Sequence, residues 1–123
     1  MEEVYNYPTK KDLEFIRKYD VHKKPVKPLI DFIKSIWWMP SWGFTLGKKT
    51  DDYISITTQP DGTEKKSRSK YITLQLSCGG WSGNESIMTA LEKNEWFYCF
   101  YWEESRRGGH YKFEIRKEDW EKK

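Results

Sequence analysis

Cysteine, histidine and long apolar runs are all scarce in this 123-residue chain, and each shortage removes a class of protein. The two cysteines, Cys78 and Cys99, form no C-x-x-C pair, and His22 and His110 stand far apart, so no local zinc spacing exists. Neither a metal nor a cofactor is expected. The longest apolar runs, at 36–39 and 96–102, fall far short of the ~20 residues that cross a bilayer, so no membrane association is expected. Met1-Glu2-Glu3 is acidic and lacks the apolar stretch of a secretory signal, and with so little cysteine a reduced, cytoplasmic setting is the expectation. An excess of one charge is missing too. The 22 Lys and Arg oppose 19 Asp and Glu for a net +3, too little for general nucleic-acid binding but compatible with a local basic site for one anionic ligand.

What the chain has instead is aromatic mass. Leu, Ile, Val and Phe together fall just below a fifth of the residues, and seven Trp and eight Tyr make up the deficit. Each aromatic side chain can bury about 150–250 Å². A single domain over 1–123, with a core that needs no disulfide staple, is the expected organisation.

Residues 1–40 read as helical. Thr9 can cap a segment running to Tyr19, with Leu13, Ile16 and Phe15 as the candidates to face inward and Asp12 near the positive helix end. Pro28 suits the first turn of a second helix, whose Leu29, Ile30, Phe32, Ile33, Ile36 and Trp37 form an apolar stripe ended by Pro40 and Gly43. From 42 to 116 the pattern predicts a sheet with one helix. Residues 53–59 alternate with Ile54 and Ile56 on one face, and Pro60-Asp61-Gly62 supplies a turn. Lys65, Lys66, Arg68 and Lys70 then form a solvated, flexible arm. Residues 71–78 alternate, with Ile72, Leu74, Leu76 and Cys78 inward and Thr73, Gln75 and Ser77 outward. Ile87, Met88 and Leu91 mark a helix closed by a left-handed Asn94. The run from Trp96 to Trp102, apolar on both faces, reads as a central strand, and residues 110–116 alternate again. A charged tail at 117–123 is expected to fray. The fold class expected is α+β: two N-terminal helices, then a β-β-α-β-β sheet with one parallel crossover flanked by antiparallel hairpins.

Two glycine-bearing segments carry the chemistry. In the first, Gly79, Gly80, Trp81, Ser82, Gly83 and Asn84 sit between a strand and a helix. Ser82 and Glu85 match a capping box, and a helix N-terminus there would present free N–H groups to an anion. No P-loop or dinucleotide fingerprint is present, and a tight turn with Trp81 plugging the core fits the same residues. In the second, Arg106, Arg107, Gly108, Gly109 and His110 form a turn. A parallel crossover would bring both segments to one sheet edge, where two guanidiniums and an imidazole suit a phosphate or carboxylate. The alternative is a solvated hairpin tip. His110 is a residue type suited to general acid or base work, but no spacing places a nucleophile beside it; Ser82, Glu85 and Glu104 are candidates by topology only, and no catalytic residue is assigned. Trp37, Trp38 and Trp42 can close the core, or one of them can remain exposed as a stacking platform or subunit contact.

The residues Gly79-Gly80-Trp81-Ser82-Gly83-Asn84-Glu85, Leu91-Glu92-Lys93-Asn94, Trp102, Arg107-Gly108-Gly109-His110-Tyr111 and Phe113-Glu114-Ile115 resemble a group of small bacteriophage and prophage proteins. The resemblance spans about the last third of the chain. It implies a phage accessory protein in a bacterial host cytoplasm, a setting in which antagonists of host defence are common, and it brings no activity with it. The leading expectation is a binding module for a small anionic, nucleotide-like ligand held by Gly79, Gly80, Trp81, Ser82, Gly83, Asn84, Arg106, Arg107 and His110. The alternatives are an inhibitor of a host protein that uses an exposed aromatic patch, and a small hydrolase using His110. A homodimer is expected if the second face of the 96–102 strand needs cover.

Overall fold

The computed structural model describes residues 7–121, apart from the side chains of 51–55, 67 and 68. Ile54, Arg68 and the last two residues of the tail therefore lie outside the described side chains or residues. Thr9 caps α1 (Lys10–Lys18) through a reciprocal pair of bonds: its hydroxyl accepts from the Asp12 N–H at 3.1 Å, and the Asp12 carboxylate accepts from the Thr9 N–H at 2.9 Å. Helix α2 (Lys27–Ile36) carries Pro28 in its first turn and buries Leu29, Ile30 and Ile33. It stops at Ile36. Trp37 and Trp38 thus lie in a connector rather than on the helix, and a short α3 (Pro40–Gly43) follows after a left-handed Met39.

A long hairpin comes next, β1 (Phe44–Thr58) with β2 (Glu64–Ser77), turning at Gly62. The Lys65–Lys70 segment, expected as a flexible arm, is strand paired with residues 50–57. Helices α4 (Ser82–Lys93) and α5 (Glu95–Tyr101) lead to the hairpin β3 (Trp102–Arg106) and β4 (His110–Arg116), and α6 (Lys117–Trp120) ends the described chain. The class is α+β, with a four-stranded sheet in the order β1-β2-β4-β3.

Two expectations are corrected by this topology. Residues 96–101 of the 96–102 run are helix, and only Trp102 is strand. Asn94 both ends α4 and caps α5, accepting the Phe97 N–H on its side-chain oxygen at 3.2 Å, and its φ of −80° is not left-handed. Phe97 and Tyr101, four residues apart, enter the core, while Trp96 and Phe100 point to solvent. An aromatic run has no period by which strand and helix can be told apart, so the cap and tertiary burial decide. The parallel crossover is absent as well, because every neighbouring pair of strands is antiparallel. β4 inserts between β2 and β3. Since both flank β4 in antiparallel fashion, β2 and β3 still run the same way, and their C-terminal ends meet at one edge of the sheet.

The core lies on one side of the sheet. Leu74, Leu76, Phe113 and Ile115 pack with Ile16, Leu29, Ile33, Ile87, Leu91 and Phe97. The tail expected to fray is anchored: Trp120 is buried, the Asp119 carbonyl accepts the Val26 N–H, and the Tyr101 hydroxyl donates to the Asp119 carboxylate at 2.9 Å.

Candidate functional site

Alternation along β2 and β4 sends Leu74, Leu76, Phe113 and Ile115 into the core, which leaves Gln75, Ser77, His110 and Lys112 on the opposite, open face. The register aligns them in two rows. Ser77 pairs with His110 and His110 with Arg106; Gln75 pairs with Lys112 and Lys112 with Glu104. These six residues, with Leu76 and Tyr111, line a concavity of about 320 Å³.

Within it the Ser77 Oγ and the His110 Nδ1 are 2.7 Å apart. Arg106 leans toward Glu104, with Nη2 and Oε1 3.5 Å apart, a loose and exposed pair that leaves most of the guanidinium fork open. Lys112 has no ion-pair partner among the described residues. Tyr111, paired with Leu76, belongs to the core-side row and packs against the core, where burial raises its phenol above its ordinary pKa. Two cations, an imidazole and a hydroxyl thus share one open pocket with a single carboxylate. That set of donors suits a small anion with several acceptor oxygens.

The two glycine-bearing segments do abut, for a reason other than a parallel pair of strands. The Gly109 carbonyl accepts the Cys78 N–H at 3.0 Å, and a side chain at Gly109 would press on Cys78. Of the residues singled out from sequence, Arg106 and His110 line the concavity. Arg107 sits exposed in the turn just beyond it, and Gly79, Gly80, Trp81, Ser82, Gly83 and Asn84 are not part of its lining.

The glycine loop is engaged with the protein itself. Gly79 and Gly80 adopt φ of +63° and +77°, reversing the chain after β2. The Trp81 ring covers Gly83 and packs 4.9 Å from Tyr7 and 5.8 Å from Trp38, centroid to centroid. The Asn84 amide, 1 % exposed, donates to the carbonyls of Trp38 and Cys78 and accepts the Trp38 N–H. The capping box expected from Ser82 and Glu85 does not form. Trp81 occupies the N-cap position, and the Ser82 hydroxyl is within hydrogen-bond distance of the Tyr7 hydroxyl instead.

Sequence reasoning missed Ser77, Gln75 and Lys112 as site residues. Alternation marked Ser77 and Gln75 as outward-facing, but only the cross-strand register shows that they face His110 and Lys112. Cys78, directly behind the site, has its thiol pushed up to about 11 by burial, reinforced by Glu85 and Glu92, and is no nucleophile at neutral pH. Among the described residues no group of side chains has the makings of a metal site, and no helix is long and apolar enough to cross a membrane. Compared with known proteins, the chain matches no family model, no curated protein and no solved structure.

Proposed function

We propose that this protein binds a small anionic, nucleotide-like ligand on the open face of its sheet. One observation carries the reading: the register sets Ser77, His110 and Arg106 in one row and Gln75, Lys112 and Glu104 in the next, around a single concavity of about 320 Å³. Arg106 and Lys112 supply the charge for a phosphate or carboxylate. His110, Ser77 and Gln75 supply directional hydrogen bonds. The glycine loop serves as the scaffold that holds the C-terminal end of β2 against the 107–109 turn. In the setting implied by the phage resemblance, such a module would sequester a nucleotide signal of host defence.

The test is calorimetry with a panel of mononucleotides, cyclic nucleotides and pyrophosphate. Arg106→Ala and Lys112→Ala should each weaken the best ligand by about 1.5–3 kcal/mol, a ~10- to 150-fold loss, and flatten its salt dependence. Affinities unchanged in both variants and in their combination refute the reading. A second reading rests on the exposed Trp42, Trp96 and Phe100, each more than half exposed. These would meet a host protein or a second copy of the chain. Silence across the ligand panel, with a partner-dependent change in Trp96 fluorescence, would favour it.

A further inference from the structure

The contact at the centre of this pocket has a chemistry beyond holding a ligand. Ser77 and His110 are directly paired residues on neighbouring strands, so the 2.7 Å approach of Oγ to Nδ1 is built on two rigid elements rather than on loops. In the Nε2–H tautomer the Ser77 hydroxyl donates to Nδ1. The free lone pairs of Oγ then belong to a nucleophile whose proton has a base waiting for it. Arg106 and Lys112 line the same concavity, the arrangement that neutralises the equatorial oxygens of a phosphoryl group under attack. The cations select the class of electrophile. A neutral carboxylic ester gains little from them in the ground state, whereas a phosphodiester is held by its charge and stabilised further as that charge shifts.

We infer that Ser77 and His110 form a nucleophile–base pair that hydrolyses a phosphodiester held by Arg106 and Lys112. The inference rests on the anion-binding reading above. In the first step the Ser77 Oγ forms a bond to phosphorus while its proton passes to His110 Nδ1. The bond from phosphorus to the leaving alcohol oxygen breaks, and that oxygen takes the proton from the imidazolium. In the second step His110 removes a proton from water, whose oxygen attacks phosphorus. The Oγ–phosphorus bond breaks, and the proton returns to Ser77. The sum is diester plus water giving monoester plus alcohol, with no redox change and no further reactant.

The experiment uses the full chain and bis(p-nitrophenyl) phosphate as the diester probe. Expected are release of p-nitrophenolate, a fall of ~100-fold or more in Ser77→Ala and in His110→Asn, and a nitrophenyl-phosphoryl adduct mapped to Ser77 by mass spectrometry. Melting temperatures of both variants, and pyrophosphate binding by calorimetry, are measured alongside. Ser77→Thr, which keeps the hydroxyl, should retain part of the turnover if Ser77→Ala proves unstable. Turnover that survives in Ser77→Ala while His110→Asn loses it overturns the nucleophile assignment in favour of direct attack by water. Pyrophosphate binding that needs Arg106 and Lys112, with neither turnover nor adduct, overturns the inference and leaves the binding reading standing. Absence of binding, turnover and adduct together removes both.

Discussion

Replacing Asn94 by alanine removes three hydrogen bonds from a side chain that is only 3 % exposed. Its Nδ2 donates to the carbonyls of Ile16 and Tyr19, both at 2.9 Å, and its Oδ1 accepts the Phe97 N–H at 3.2 Å. One residue thus closes the C-terminal end of α1 and starts α5. A buried polar group deprived of its partner costs about 1–3 kcal/mol, and the lower end suits carbonyls that can tilt toward other donors. Three groups at that lower end give a loss of about 3 kcal/mol, a large share of the 5–15 kcal/mol typical of a whole domain. With an m value of about 1–3 kcal/mol per molar in urea, the unfolding midpoint should fall by about 1 M or more. Asn94→Asp keeps the acceptor for Phe97 but turns carboxylate oxygen toward two carbonyls. It should be at least as unstable at neutral pH and recover in part as the carboxyl is protonated. A loss below about 1 kcal/mol in Asn94→Ala, by urea unfolding followed through tryptophan fluorescence, would refute the claim that this amide joins the two helices.

The glycine loop gives a contrasting pair. A methyl at Gly83 would collide with the Trp81 ring and must displace it, so Gly83→Ala should cost about 1–3 kcal/mol and alter tryptophan fluorescence. Gly80→Ala meets no atom within 4 Å and pays only for its positive φ, about 1–2 kcal/mol, with the fluorescence unchanged. Cys78 should make stability depend on alkaline pH. Its folded pKa of about 11 exceeds the ordinary value of 9.0, so its contribution is complete below pH 9 and is lost as pH rises toward 11. The stability gap between the native chain and Cys78→Ala should therefore narrow across that window in urea titrations, and a constant gap would contradict the burial argument. A thiol reagent at neutral pH should modify the exposed Cys99 quickly and Cys78 only on unfolding.

The first helix and the inward rows of β2 and β4 are legible because each rests on local chemistry: the cap at Thr9 with Asp12, and the strict alternation of Leu74, Leu76, Phe113 and Ile115. The residues 95–101 are not, since an unbroken aromatic run fits either period and the deciding contacts of Asn94 come from α1, more than seventy positions away. With 95–101 helical, no strand there pairs directly with β2, yet the two glycine-bearing segments meet at one sheet edge because inserting β4 preserves the direction of β3 relative to β2. At the site, Arg106 and His110 stand out in the sequence by residue type. Ser77, Gln75 and Lys112 look like ordinary surface positions there. Their part depends on the register of β2 against β4, which is long-range information. The glycine loop misleads in the opposite direction: its composition suits an anion site, while its atoms serve Trp38, Trp81 and Cys78.

Amide chemical-shift mapping during titration with AMP and with pyrophosphate tests the placement of the ligand most directly. The account predicts saturable shifts centred on Gln75, Ser77, Arg106, His110, Tyr111 and Lys112, abolished when Arg106 and Lys112 are both alanine. Shifts centred instead on Gly79, Gly80, Trp81 and Asn84, or binding that persists in the double variant, would contradict it.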